Sequence, residues 1–271
     1  MKPGMLQKIS LFLLLGCRSF GAAAPAETAA ERGKRVVYEA LQALGGDAFL
    51  KMNDRVESGR AYSFYRNQIS GLSAAKIYTH YLDPKPGVPE VRERESFGKV
   101  KEDNAVLLTE SGGWEITFRG ARPLEDTRYA NYKDTTLRNI LYILRQRLKE
   151  PELSFYSRGS DMFENRPVEI VDITDAANNT VTVYFDARTK LPTRQTFRRR
   201  NPEFKDFDTE VTTFGLYRNV GGGVTWPCNI RRERNGEKTF EMFGDQVDVN
   251  QDLKDSLFNL PGDIKILPKD K

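Results

Sequence analysis

The sequence is poor in the residues that do chemistry at metal and nucleophile sites. Its 271 residues include one histidine, His80, and two cysteines, Cys17 and Cys228. A zinc centre built on imidazole and thiolate has no neighbouring second ligand, and no C-x-x-C or H-E-x-x-H spacing occurs. A serine triad would have to use His80, and there is no G-x-S-x-G elbow. The phosphate-binding patterns G-x-x-x-x-G-K-[ST] and G-x-G-x-x-G are also missing. Gly221, Gly222 and Gly223 lie between strand patterns and open no helix, so they read as a turn. Paired acids occur, but among 38 acidic residues chance accounts for them. A carboxylate-based exported hydrolase is left as the most distant alternative.

Charge of one sign is also lacking. The formal net charge of +4 falls to +1 once the first 26 residues are set aside, because these contain Lys2, Lys8 and Arg18 and no acid. A nearly neutral body excludes an electrostatic footprint for nucleic acid. Two local basic clusters stand out, Arg198-Arg199-Arg200 and Arg231-Arg232 with Arg234. They read as a solvated strand end and a solvated hairpin, with an anionic lipid contact as the functional alternative. No apolar run is long enough for a membrane-spanning helix.

What is present begins with an export pattern. Lys2 and Lys8 precede an apolar run from Ile9 to Leu15, and small residues follow from Gly21 to Ala26. That is the plan of a secretory signal, with cleavage expected after Ala26. Leu14-Leu15-Gly16-Cys17 offers a second reading, in which Cys17 becomes the lipidated first residue after removal of residues 1–16. Residues 27–271 are then expected to form one domain, peripherally attached, lipid-anchored or soluble. In either form Cys228 has no thiol partner, and it reads as a small buried apolar residue.

Residues 27–44 favour a helix, with Val36, Val37, Ala40, Leu41 and Leu44 at helical spacing and Gly45-Gly46 as the stop. From Val56 onward the signal is mostly strands. Candidates are 56–65, 76–82, 91–100, 105–110, 114–118, 153–158, 166–174, 181–185, 191–197, 210–217 and the strands flanking Asn235-Gly236. Trp114, Ile116 and Phe118 alternate with polar residues and should share one face. Asn235-Gly236 suits a two-residue hairpin turn in which Glu233 faces Lys238 and Arg234 faces Glu237. Simple alternation places Cys228, Ile230 and Phe243 on one face of that hairpin, and Phe240 and Met242 on the other. Residues 132–149 carry the strongest helical stripe, Leu137, Ile140, Leu141, Leu144 and Leu148, with Asp134 as N-cap and Pro151 as terminator. Its apolar face either packs on the sheet or lids a cavity. The expected fold is mainly β (α+β): an unclosed antiparallel barrel or strongly curved sheet of about eleven strands, covered by two or three helices.

Several stretches carry a resemblance to a known family. They are Ala43-Leu44-Gly45-Gly46 closing the first helix, and Val183-Tyr184-Phe185-Asp186 with Thr189 and Leu191-Pro192. Gly222-Gly223-Val224-Thr225-Trp226-Pro227 and the closing Leu257-Phe258-Asn259-Leu260-Pro261 complete the set. Over about residues 31–261 the chain resembles the bacterial lipoprotein carrier and receptor superfamily with the localisation-of-lipoproteins A/B fold. The resemblance implies a helix-lidded, unclosed barrel enclosing a hydrophobic cavity for lipid or lipoprotein acyl chains. It also implies neither catalysis nor a cofactor. The carrier form would lie in the periplasm, and the receptor form would be an outer membrane lipoprotein anchored through Cys17. Expected cavity residues are Trp114, Ile116, Phe118, Leu137, Ile140, Leu141, Leu144 and Phe185. The alternative of another class is an envelope interaction or structural module, with the same fold, a filled core and a protein partner.

Overall fold

Helix α1, Ala29–Leu44, starts where Thr28 and Glu31 form a reciprocal capping box: each side chain accepts from the other's backbone N–H. Its stripe of Val36, Val37, Ala40, Leu41 and Leu44 is buried, and Gly45, at φ 124°, ends it. A single turn, α2 (Asp47–Leu50), follows. The computed structural model describes residues 26–98, 104–201 and 203–269. The signal-like segment and Cys17 lie outside them.

The strands are β1 (Asp54–Tyr65), β2 (Gln68–Tyr81), β3 (Val91–Phe97), β4 (Asn104–Thr109), β5 (Gly112–Thr117) and β6 (Gly120–Pro123). After two helical segments come β7 (Ser154–Phe163), β8 (Arg166–Thr174), β9 (Thr180–Asp186), β10 (Pro192–Arg200), β11 (Phe207–Asn219), β12 (Thr225–Arg234) and β13 (Glu237–Val249). They form one antiparallel 13-stranded sheet in the order β6-β5-β4-β3-β2-β1-β13-β12-β11-β10-β9-β8-β7. The sheet is unclosed, because β6 and β7 are its two edges. Every strand pairing in the sheet is between chain neighbours except β1–β13, which joins the first half of the sheet to the second.

The sheet has more strands than the roughly eleven expected, and β6, too short to show a period, is the one without a counterpart; the 76–82 strand also starts eight residues earlier. The Asn235-Gly236 turn has φ of 52° and 82°, and Glu233 faces Lys238 and Arg234 faces Glu237. The face assignment below that turn is corrected. A register shift between Arg232 and Glu233 pairs Ile230 with Met242 and Arg232 with Phe240, so these side chains share a face. Phe243 instead packs edge-on against Tyr62.

One face of the sheet carries the main core. Here α1 and the segment around Ile140–Leu144 cover Val171, Ile173, Val181, Val183, Phe185, Phe197, Phe214 and Trp226. Cys228 is buried in this cluster with a free thiol. Gly33 lets α1 lie directly on β7: a Cβ there would sit 2.9 Å from the Ser157 nitrogen. The opposite face of β3–β6 is covered by the C-terminal segment. Its turn Asp255–Phe258 places Leu257 and Phe258 over Ala105, Leu107 and Ile116. The buried Asp54 carboxylate directs that segment, accepting the N–H groups of Gln251 (2.6 Å) and Leu253 (3.1 Å).

The single helix expected over 132–149 is two pieces. Helix α3 runs Asp126–Leu137 and α4 runs Ile140–Tyr142, continued by a π-helical turn, Ile143–Arg147. Asn139 makes the break. Its backbone is extended, and its side chain accepts from the Leu141 N–H at 2.9 Å as an N-cap. Gln195 reinforces it by accepting from the Ile140 N–H at 2.8 Å. Asp134 is inside α3 and caps nothing; it pairs with Arg138 (2.8 Å) and Arg199 (2.9 Å). Among the described residues no helix is long and apolar enough to cross a membrane.

Candidate functional site

Alternation on three adjacent strands builds the site. On the helix-covered face β1 presents Arg55 and Glu57, β2 presents Ile77, Thr79 and Tyr81, and β3 presents Val91, Glu93, Glu95 and Phe97. The register aligns Arg55, Thr79 and Glu93 in one row and Glu57, Ile77 and Glu95 in the next. Beyond β1, β13 and β12 add Met242, Phe240, Ile230 and Arg232. Helix α3 crosses above this surface. Between them lies a cavity of about 490 Å³, within the range of small-ligand sites.

The floor of the cavity is a buried polar network. Arg55 and Glu57 are 6% and 5% exposed and pair at 2.7 Å. Arg55 also donates to Tyr81 Oη (2.7 Å) and Thr79 Oγ1 (3.0 Å), and its guanidinium lies 4.0 Å from the Trp226 ring centre. Trp226 Nε1 donates to Glu57 at 3.2 Å. Burial alone would lower the Arg55 pKa, but Tyr81, Glu57 and Glu93 hold it above its ordinary value. Tyr132 of α3 donates to Glu93 at 2.8 Å. Burial first, and then Glu93, pushes the Tyr132 hydroxyl well above the usual phenol range. Desolvation also raises the Glu95 carboxyl, with Arg232 opposing.

Toward the hairpin ends the wall turns apolar. Ile77, Phe97, Phe240 and Met242 form a small cluster with Ala61 and Ala75, whose short side chains leave room. The lid is polar. None of the α3 residues is fully buried, although residues 131–137, Tyr132 among them, are half-buried. It is tied down at one end by Tyr129 Oη to the Thr109 carbonyl (2.6 Å). At the other end Arg138 reaches the Arg198 carbonyl (2.9 Å) and Asp134 pairs with Arg199.

Of the eight residues expected to line a cavity, Leu141 lies on this wall. Ile140, Leu144 and Phe185 are fully buried in the main core, where α4 seals the neighbouring part of the sheet. Leu137 ends α3 half-buried, its carbonyl accepting from Arg147. Trp114 and Ile116 face the C-terminal segment on the other side of the sheet. Phe118 falls in the β5–β6 turn, outside the strand, and is 84% exposed. His80 is also on that outer side, its ring 5.9 Å from Phe258. Among the described residues no group of His, Cys, Asp and Glu is gathered to hold a metal ion. The residues that sequence reasoning passed over are Arg55, Glu57, Glu93 and Glu95. For Glu93 and Glu95 the signal is Val91-Arg92-Glu93-Arg94-Glu95-Ser96-Phe97: a period of two that sorts arginines to one face and carboxylates, between Val91 and Phe97, to the other.

Solved structures share this architecture. A domain assigned to outer membrane lipoprotein sorting in Vibrio parahaemolyticus matches with a TM-score of 0.56 at 12% identity, over 85% of this chain and 97% of its own. A DUF1329 family protein from Desulfovibrio piger matches with 0.57 at 13% identity, over 84% and 97%. A LolA superfamily protein from Nitrosomonas europaea matches with 0.52 at 9% identity, also over 84% and 97%. The chain has a LolA-like fold. No family model matches the sequence, and no curated protein does. The likeness therefore lives in the backbone fold.

Proposed function

We propose that this LolA-like chain is a non-catalytic carrier of the cell envelope that holds the acyl part of a lipid or lipoprotein under α3. The observation that carries this reading is the cavity of about 490 Å³ between α3 and the sheet, with its apolar end at Ile77, Phe97, Phe240 and Met242. Each methylene moved from water into such a site contributes about 0.8 kcal/mol. A chain of ordinary length is then held without any dedicated polar motif. The fold relatives assigned to lipoprotein sorting support the same reading, and the export pattern at the N-terminus fits a periplasmic site of action. A carrier must also hand its cargo on, so an envelope protein partner is part of the proposal.

The hollow interior favours this reading over a module with a filled core. Native mass spectrometry of the protein purified from membranes is expected to show bound lipid or lipopeptide, lost in Ile77→Trp, which fills the apolar end. Failure to bind any acylated molecule overturns the proposal. Intact mass of the purified protein decides its attachment: a start at Glu27 means a free carrier, and an acylated Cys17 means a lipoprotein.

A further inference from the structure

The charges around the cavity are unequally satisfied. Every arginine of its wall is engaged by the protein itself. Arg55 holds Glu57, Arg128 holds Glu115, Arg199 and Arg234 share Glu210, and Arg232 lies over the Phe240 ring. The carboxylates are not all so matched. Glu57 has Arg55, and Glu210 has two arginines. Glu93 is met by two neutral hydroxyls, Tyr132 at 2.8 Å and Thr79 at 3.4 Å. Among the described residues Glu95 has no hydrogen-bond or ion-pair partner, although Arg232 and Arg128 act on it from farther away. Glu93 and Glu95 lie two residues apart on β3, so both point to the same face, about 7 Å apart. Both border the cavity, beside its apolar end at Ile77 and Phe97.

A carboxylate facing a partly enclosed space is costly unless a cation or several donors meet it. The protein supplies cations to the other acids of this wall and none within pairing distance of these two. We infer that the cargo supplies it: the ligand is an amphiphile whose head is an ammonium group, seated between Glu93 and Glu95, with its chain against Ile77, Phe97, Phe240 and Met242. This inference rests on the carrier reading and adds the chemical class of the head. The geometry also disfavours simple fatty acids, whose carboxylate would meet the two like charges of Glu93 and Glu95. Burial raises the Glu95 pKa against the more distant Arg232 and Arg128, and an ammonium in contact would lower it.

Trp226 borders the cavity, while Trp114 lies on the far side of the sheet. The Trp114→Phe protein thus reports on the site by its remaining tryptophan. It is titrated with decylamine, decanol and decanoate, three heads on one chain, and calorimetry repeats the titrations on the unsubstituted chain. Decylamine is expected to bind about tenfold or more tighter than decanol, and decanoate weaker than decanol. Glu95→Gln and Glu93→Gln, both close to isosteric, should each remove most of that preference while leaving decanol within about twofold, since only charge changes. Equal binding of the three, or tighter binding of decanoate, overturns the ammonium assignment and leaves the carrier reading standing. Absence of binding by all three overturns the carrier reading itself. If either glutamine variant fails to fold, the comparison of decylamine with decanol on the unsubstituted chain still decides.

Discussion

The helix-covered face of one continuous sheet is finished in two different ways. Over β7–β12 it is sealed by α1 and α4, whose inward residues are nearly all aliphatic and fully buried. Over β1–β4 and the hairpin ends of β12 and β13 it is roofed by α3, whose residues are at most half-buried, and a cavity lies below. The strands alone do not explain the contrast, since both halves alternate and pair in the same way. It comes from the helices. An amphipathic helix excludes water and fills space, whereas a polar one held by side-chain hydrogen bonds spans a gap without filling it. Stability is expected to concentrate in the first half and adaptability in the second.

The largest effect should come from hollowing the filled half. Phe185→Ala removes a fully buried ring packed within the main core and should cost about 3–5 kcal/mol in denaturant unfolding. Phe240→Ala, at the already hollow end, should cost less than half as much and weaken cargo binding instead. Equal costs would mean that the cavity wall is as tightly packed as the core, and would break the comparison. Next in size is Gly33→Val. A Cβ at Gly33 falls within 3.0 Å of three backbone atoms of β7, so α1 must lift from the sheet edge. The expected loss is about 1–3 kcal/mol, read as a lower midpoint with an unchanged denaturant slope.

The filled half was also the half legible in sequence. Val36, Val37, Ala40, Leu41 and Leu44 declare α1 by period, and Gly45-Gly46 declare its end. Phe185 and Trp226 lie in strands that read as strands. The hollow half is hidden from the sequence for three physical reasons. Asn139 looks like one polar position in a helical stripe, yet its side chain competes for the backbone and splits the helix. This moved the apolar stripe into the core and left Asp126–Leu137 as the roof. The clean alternation of Trp114 and Ile116 shows that they share a face but cannot say which, and the face is decided by the C-terminal segment, more than a hundred residues away. Finally, Arg55, Glu57, Glu93 and Glu95 are charged, and charge in a strand reads as solvent exposure until a lid is known to lie above it.

A smaller effect, with a pH signature, separates the two halves again. Asp186 closes the β9–β10 turn on the filled side, accepting from the N–H groups of Thr189 (2.7 Å) and Arg188 (3.0 Å). Burial opposes its charge, but those N–H donors hold its pKa below the ordinary value of 3.8. A depressed folded-state pKa contributes stability that is present above 3.8 and lost as pH falls through the lower folded value. Asp186→Asn should therefore cost about 1–2 kcal/mol at neutral pH, with the deficit shrinking below about pH 4. A deficit independent of pH would assign the effect to packing alone.

The smallest change in stability should come from the roof, and there stability and motion part company. The Asp134–Arg199 pair joins α3 to β10 at 2.9 Å, with both side chains partly exposed. Such pairs contribute about 0–1 kcal/mol, so Asp134→Ala should barely move the unfolding midpoint. It should nonetheless free the C-terminal end of α3, because Arg199 also reaches the Asn131 carbonyl and Thr135 from the same anchored position. Hydrogen exchange reads the difference directly. Amides of α3 should already exchange faster than those of α1, since α3 is held by half-buried side chains and polar bonds whereas the α1 stripe is fully buried. Asp134→Ala should speed the α3 amides severalfold more and leave α1 unchanged. If α1 accelerates with α3, the two halves unfold as one unit and the roof is no independent lid. If α3 alone responds, the path to the cavity opens by breaking a few polar bonds at the roof, and cargo can enter and leave while the core stays shut.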